Sequence, residues 1–465
     1  MDTIKYIDRL ILFEKIRNDE IAQSLAGLIP DGCMDFCADS CQELSWDRPE
    51  RVSDTAIRKI YYAVQRDLLR GSGGNAISGN LLQNHFCRLF ASEENAFAKM
   101  AEDGVYQGLK TGMKAADIQS VLSREAMALL NLAAREIKHF YPIYRFDFSD
   151  VTDVRDGRDF ASLTPGGETG AENPADPGPR EMIHMAMISK TSLDAAILLA
   201  DYFHSYGYGV MGQAIAFNAE ESGLVPAAYT DPITMDELVG YEAQKRALME
   251  NIEILLAGHR ANNILLYGDS GTGKSSSIKA LLNMYASRGL KLISVSKNKL
   301  GLIPKLFDQI ASRGLKIVIF IDDLSFEENE YEFKAFKSII DGRVARSPKN
   351  AMLAVTTNRK NIVKEAWSDR EGGDDVRRRD SIEEKRSLSD RFGITLTYSA
   401  PGKREYLEIV RSIAEKSGLF MPEEKLDAEA LKWEIRHGGR SGRTARQFVD
   451  YMTGIQSIGS GGFKE

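Results

Sequence analysis

The chain has 465 residues, of which 43% are hydrophobic and 27% are charged, and its formal net charge is −7. This length predicts two or three domains, and the composition is ordinary for a globular protein. The negative balance gives no general attraction to nucleic acid or to anionic membranes, and no apolar run is long enough to span a bilayer. We therefore predict a cytoplasmic protein that has no membrane segment.

Residues 1–149 are predicted to form a helical N-terminal domain, because apolar residues recur there at helical spacing. Cys33, Cys37 and Cys41 would share one face of a helix. Metal sites more often use a C-x₂-C pair, and no histidine is close by in sequence, so reduced thiols are the better interpretation.

The middle of the chain changes in character twice. Residues 150–182 are polar and rich in glycine and proline, which is typical of a flexible linker or a long surface loop. Residues 183–230 are predicted to form a helical connector, with a helix over 194–219 that is interrupted at 206–209.

A glycine-rich stretch that begins at 268 fits the phosphate-loop pattern G-x-x-x-x-G-K-[ST] at every fixed position. An apolar run precedes it and helical spacing follows it, which is the context in which this pattern forms a nucleotide site. Glycines let backbone N–H groups close around phosphate oxygens, and a helix N-terminus adds partial positive charge. The predicted nucleotide-binding stretch comprises Gly268, Asp269, Ser270, Gly271, Thr272, Gly273, Lys274, Ser275 and Ser276.

Within this stretch Lys274 is predicted to reach the β- and γ-phosphates, and the Ser275 hydroxyl to bind Mg²⁺. A later apolar strand ends in Asp322 and Asp323. Asp322 is predicted to hold Mg²⁺, directly or through water, and Asp323 to orient or deprotonate the attacking water. Asn358 follows the next strand and is predicted to polarise the same water.

Strands at 264–267, 291–295, 317–321, 352–356 and 394–398 alternate with helices. This alternation predicts an α/β fold with a doubly wound, parallel, five-stranded sheet. Residues 231–400 are assigned to this nucleotide-binding core, and residues 401–465 to a small helical lid.

Two arginines complete the candidate site. Arg391 would act as an arginine finger on the nucleotide of a neighbouring subunit, and an ion pair with Asp390 is the alternative. Arg443 opens a helix of the lid and would fold over the bound phosphates, with Arg446 one turn further on as the competing candidate. The charged stretch 365–385 includes Arg377–Arg379, and its balanced charge favours a solvated loop over a nucleic-acid contact.

This ordered set, from Asp231 to about Met452, resembles an AAA+ ATPase. The segment GDSGTGKS is similar to Walker A and IVIFIDD to Walker B. The resemblance makes Asn358 sensor 1 and Arg443 sensor 2, and it makes Gly240 and Tyr241 part of the segment that flanks the adenine. The stretches ANNILLYGDSGTGKSS, IDDLSFEENEYEFKAFKS, TTNRKNIV and SLSDRFGITLTY look more closely like a bacterial family of ATP-binding proteins with a domain of unknown function.

The resemblance implies Mg²⁺-dependent ATP binding and hydrolysis by a homo-oligomer, such as a hexameric ring. We predict that hydrolysis drives the remodelling of a macromolecular partner, and the negative charge balance favours a protein over a nucleic acid as that partner. Most AAA+ hydrolases carry Glu where this chain has Asp323, so either turnover is slow or Glu327 or a shifted strand compensates. The alternatives are an ATP-gated binding module that hydrolyses slowly or not at all, and a nucleic-acid remodeller or helicase-loader-like factor.

Overall fold

The structure is a computed structural model that describes residues 10–20, 22–23, 81–144, 179–227, 231–326, 331–340, 347–358 and 391–460. The described residues divide into two compact units. The helical unit holds those up to Ile215 together with Ser287–Gly289, and the sheet unit holds the remaining residues from Ala216 onward. The domain boundaries given above stay predictions.

The helical unit is built on an aromatic core. The Phe86 and Phe140 rings meet edge to face with centroids 4.9 Å apart, and Phe90 meets Phe140 at 5.4 Å. Such pairs add to the stabilisation that burial itself provides. The helices are α1 Glu14–Arg17, α2 Leu81–Ser92, α3 Ala96–Glu102, α4 Ala115–Val121, α5 Arg124–Tyr144, α6 Pro179–Met187 and α7 Ser192–Tyr206.

Two buried carboxylates hold the N-terminal segment of this unit, residues 10–16. Glu136 on α5 accepts hydrogen bonds from the backbone N–H groups of Ile11, Leu12 and Phe13 at 2.8–3.2 Å. Glu93 accepts from the N–H groups of Lys15 at 2.8 Å and of Ile16 at 3.2 Å. Burial raises the pKa of Glu93 to about 7.

The prediction of a helical connector over 183–230 is wrong in its second half. Helix α7 ends at Tyr206, because Gly207 takes a φ of +78° that ends the helix. Beyond Gly207, the predicted connector contains the strands β1 Ala216–Glu220 and β2 Gly223–Pro226. Alanine and glutamate favour helix locally, but β1 pairs in parallel with a strand more distant in sequence. Helix α6 begins inside the predicted linker, of which 150–178 lie outside the described residues.

The sheet unit contains a seven-stranded sheet in the order β2-β1-β4-β5-β6-β3-β7, two strands more than predicted. All five predicted strands are present and pair in parallel, and only β2 at the edge is antiparallel. The strands are β3 Ile264–Gly268, β4 Leu290–Ser294, β5 Lys316–Ile321, β6 Ala351–Thr357 and β7 Ile394–Tyr398. Every residue of β6 is buried, as expected for a parallel strand that is covered on both faces.

The helices of the sheet unit fall into a core set and a lid. The core helices are α8 Glu242–Leu256, α9 Lys274–Tyr285, α10 Ile303–Ile310 and α11 Tyr331–Ile340. The lid helices are α12 Lys403–Lys416, α13 Glu423–Arg436 and α14 Gly442–Ser460, packed around Tyr406, Val410, Ala430 and Phe448. Among the helices that the structure describes, none combines the length and apolar character that a bilayer crossing needs.

Candidate functional site

The phosphate loop connects β3 to α9, and its backbone requires glycine at the fixed positions. Gly268 has a φ of +142°, and a Cβ atom there would lie 1.9 Å from the Tyr398 carbonyl oxygen of β7. Gly271 and Gly273 have φ values of +75° and +94°, in the left-handed region that favours glycine. Asp269 extends the contact with β7, because its N–H donates to the Tyr398 carbonyl at 3.0 Å.

Lys274, the first residue of α9, is 6% exposed. Its Nζ donates to the carbonyl oxygens of Gly268 at 2.9 Å and Asp269 at 2.6 Å, and to Asn358 Oδ1 at 2.9 Å. Burial lowers the pKa of Lys274 from its ordinary value, while the surrounding aspartates oppose this shift. The ammonium group is therefore held by the loop itself and by the residue that follows β6.

Asp322 follows β5 and faces the start of α9. Its Oδ1 accepts hydrogen bonds from Ser275 Oγ and from Thr356 Oγ1, both at 2.5 Å. Carboxylate and hydroxyl oxygens are the ligands that Mg²⁺ prefers, and it commonly takes only one or two from protein beside phosphates and water. The described residues contain no cluster of three or more His, Cys, Asp and Glu side chains that could enclose a metal. The donor set therefore fits Mg²⁺ shared with a phosphate, rather than an all-protein metal site.

Asp323 adopts a φ of +51°, which is uncommon for a residue other than glycine. Its N–H donates to Thr356 Oγ1 at 2.8 Å, and its Oδ1 accepts from Asn358 Nδ2 at 2.7 Å. Asn358 thus links the Lys274 ammonium to the Asp323 carboxylate. Strand β6 lies between β3 and β5 in the sheet, so the carboxyl ends of these three parallel strands bring the three side chains together.

A cavity of about 620 Å³ opens at this edge of the sheet. Twelve of the predicted site residues line it: Tyr241, Ser270, Gly271, Thr272, Gly273, Lys274, Ser275, Ser276, Asp322, Asp323, Asn358 and Arg443. Gly240, Gly268, Asp269 and Arg391 do not line it, although Gly240 and Asp269 are next in sequence to residues that do, and Gly268 accepts a hydrogen bond from Lys274. The arginine-finger role of Arg391 stays a prediction, and Glu327, Asp390 and Arg377–Arg379 lie outside the described residues.

Tyr241 lies at a turn where both it and Gly240 have positive φ, of +60° and +80° respectively. Its hydroxyl donates to the Ser399 carbonyl at 2.6 Å, and its ring lies 4.8 Å from that of Tyr398. Burial raises the pKa of the Tyr241 hydroxyl. The turn is therefore fixed against the end of β7, beside the cavity.

The cavity also has an apolar part that sequence reasoning missed. Ile233 and Leu238 contribute from the segment before α8, and Ile409 and Ile413 from lid helix α12. The helical spacing of Ile409 and Ile413 indicates that they lie on a buried face of α12, but the sequence around them does not indicate that this face lines the cavity. Apolar walls beside a phosphate loop suit a planar base.

The two competing lid arginines differ in their contacts. The N–H of Arg443 donates to the Gly271 carbonyl at 3.3 Å, which brings the start of α14 onto the phosphate loop. Arg446 also lines the cavity, and its Nη2 lies 3.7 Å from Glu237 Oε2. Arg443 is therefore the arginine whose backbone contacts the loop.

A phosphate loop between β3 and α9, in a parallel sheet of strand order β4-β5-β6-β3-β7, defines a doubly wound α/β P-loop fold. Residues 212–456, more than half of the chain, match a family described as "protein of unknown function (DUF815)". The chain belongs to this family, which confirms the predicted resemblance to a family with a domain of unknown function. None of the curated proteins compared with the chain matches it.

Several solved structures are similar at low identity. One is Thermotoga maritima RuvB, a Holliday junction branch migration motor, with 18% identity over 49% of this chain and a TM-score of 0.34. The match covers 66% of the RuvB chain, just under two thirds of it. The AAA domain of FIGL-1 in complex with ADP has 19% identity over 49% of this chain and 76% of its own, with a TM-score of 0.35. A chain of the E. coli MS115-1 HORMA:CdnC:Trip13 complex has 16% identity over 47% of this chain and 90% of its own, with a TM-score of 0.33.

Proposed function

We propose that this chain binds ATP with Mg²⁺ and hydrolyses it, and that hydrolysis drives the remodelling of a macromolecular partner, a protein rather than a nucleic acid. The observation that carries the proposal is the hydrogen-bonded series Lys274–Asn358–Asp323, which lies beside the Ser275–Asp322 pair in one cavity. A cation, an amide and two carboxylates around one cavity suit phosphoryl transfer to water, which depends on positioning the reactants and stabilising charge.

The phosphate loop would hold the triphosphate. Its backbone N–H groups and the N-terminus of α9 favour an anion, and Lys274 supplies a full positive charge beside them. The burial that lowers the pKa of Lys274 also reduces the screening of its charge. In this proposal phosphate oxygens take over hydrogen bonds that Lys274 makes to the carbonyls of Gly268 and Asp269.

Ser275 and Asp322 would hold Mg²⁺, whose charge offsets that of the phosphate oxygens when it is bound. Asp323 would accept a proton from the attacking water, and Asn358 would hold that carboxylate in position through its side-chain amide. Arg443 would approach the phosphates from the lid. Arg391 would act on the nucleotide of a neighbouring subunit, which requires a homo-oligomer.

The first test replaces Lys274 with alanine. Loss of a buried, charged donor should weaken ATP binding and lower phosphate release by about 100-fold or more, because hydrogen bonds to charged groups contribute about 1.5–3 kcal/mol each. The measurements are calorimetric ATP binding and steady-state phosphate release in the presence of Mg²⁺. Lys305→Ala is the matched control, since Lys305 is exposed on α10 and does not line the cavity. Wild-type binding and turnover in Lys274→Ala would contradict the proposal.

A second candidate function is an ATP-gated binding module that hydrolyses ATP slowly or not at all. Asp323 favours it, because its side chain is one methylene shorter than glutamate and is already bonded to Asn358. Phosphate release by Asp323→Ala separates the two functions. A rate equal to that of the wild type supports the gated module, whereas a fall of about 100-fold supports the hydrolase.

A further inference from the structure

One wall of the cavity is formed by residues 231–238, here called the wall segment. Its first part is fastened to the core, because Asn283 Nδ2 donates to the carbonyl oxygens of Asp231 and Ile233, both at 2.8 Å. Asn283 lies on α9, the helix that begins at the phosphate loop. This part of the wall is therefore tied to the helix that would carry the phosphates.

The second part of the wall segment contains Asp236 and Glu237, and a basic side chain of the lid contacts each of these two residues. Arg446 Nη2 on α14 lies 3.7 Å from Glu237 Oε2, and both residues line the cavity. Lys416 Nζ, at the end of α12, donates to the Asp236 carbonyl oxygen at 3.3 Å. The wall segment is thus joined to the core at one end and to two lid helices at the other.

We infer that the Glu237–Arg446 ion pair is a latch between the wall segment and the lid, and that it slows the release of nucleotide from the proposed site. The inference rests on the proposed nucleotide-binding function. If the lid moves away from the wall to free the base, this ion pair has to break. Arg446 then has a separate task from Arg443, whose backbone contacts the phosphate loop.

The exposure of the pair sets the size of the expected effect. The Glu237 side chain is 29% exposed and that of Arg446 is 51% exposed, so solvent screens their attraction. Exposed ion pairs contribute little, and a latch of this kind should change the release rate by about two- to fivefold. A weak latch holds the lid without making release impossible.

The test measures release of ADP that carries a fluorescent N-methylanthraniloyl group, chased by excess ATP in a stopped-flow instrument. Glu237→Gln and Arg446→Gln should each release it about two- to fivefold faster, with little change in the association rate. The exchanged variant Glu237→Arg with Arg446→Glu should regain slow release. Raising the salt from about 0.05 M to about 0.5 M should speed release from the wild type but not from Glu237→Gln.

The matched controls are Glu408→Gln and Arg404→Gln, which neutralise an ion pair of 3.2 Å on α12. Neither residue lines the cavity, so both variants should release the fluorescent ADP at the wild-type rate. Equal acceleration in the controls, or wild-type release from both latch variants, overturns the latch while nucleotide binding stands. If the wild type binds no nucleotide at all, the proposed function fails and the latch fails with it.

Discussion

Both units of the molecule bury charged side chains, but they stabilise them in different ways. In the sheet unit, Lys274 lies among carbonyl oxygens, a side-chain amide and nearby carboxylates. In the helical unit, the buried carboxylates of Glu136 and Glu93 accept hydrogen bonds from backbone N–H groups. A cation held by oxygens can exchange them for those of a ligand, whereas a carboxylate that satisfies buried backbone donors cannot leave without exposing them. The comparison therefore separates a candidate binding group from two structural clamps.

The largest expected effect that tests this difference is the loss of stability at residues 10–17 in Glu136→Ala. The substitution leaves the buried N–H groups of Leu12 and Phe13 without their acceptor, at a cost of about 3 kcal/mol or more. Hydrogen exchange at residues 10–17, read by mass spectrometry, should become about 100-fold faster, because local opening then requires less free energy.

Glu125→Ala is the matched control for Glu136→Ala, since Glu125 is exposed on the same helix. It should leave exchange at residues 10–17 unchanged. If Glu136→Ala also leaves that exchange unchanged, its carboxylate is not a clamp, and the contrast between the two units is lost.

These two kinds of buried charge also differ in what the sequence reveals. Two of the Lys274 contacts lie within six residues of it, inside a pattern of fixed spacing. Glu136 bonds to residues more than a hundred positions away, and no local pattern marks it. For the same reason strands β3 to β7 could be predicted from local sequence patterns, but β1 and β2 could not. The alanine and glutamate residues of β1 favour helix locally, and β1 forms a strand by pairing with β4, while β2 pairs with β1.

A pH-dependent effect is expected from Glu93, whose pKa is raised by burial from 4.5 to about 7. The folded unit binds this proton more tightly than the unfolded chain does. The resulting stabilisation is complete below pH 4.5 and is lost as the pH rises through about 7, for a total of at most about 3 kcal/mol. Hydrogen exchange at residues 10–17, corrected for its intrinsic pH dependence, should therefore accelerate between pH 5 and 8 in the wild type.

Glu93→Gln should remove this acceleration, because an amide keeps an acceptor for Lys15 and Ile16 but does not ionise in this range. The exposed neighbour Glu94 provides the comparison, and Glu94→Gln should retain the wild-type pH dependence. Acceleration that persists in Glu93→Gln would assign the pH dependence to another group.

The smallest expected effect tests whether the conformation of the phosphate loop depends only on residues within its sequence pattern or also on the distant lid. A Cβ atom at Gly271 would lie 2.9 Å from the Oγ of Ser441, the residue before α14, and 3.2 Å from the Cβ of Arg443, in the first turn of α14. Gly258 has a similar φ of +83°, but a Cβ atom there would meet nothing within 4 Å. Gly258→Ala should therefore cost only the strain of a left-handed residue, about 1 kcal/mol.

Gly271→Ala should cost about 1 kcal/mol more than Gly258→Ala, because the lid has to shift to make room for the methyl group. The urea unfolding free energies of the two variants give this difference, and hydrogen exchange at residues 442–449 locates it. Equal costs and unchanged exchange would mean that the lid does not press on the loop. A difference confined to 442–449 would mean that one glycine of the pattern is required by a helix far along the chain. In that case even the most local motif of the sheet unit depends on a distant contact, as the clamps of the helical unit do.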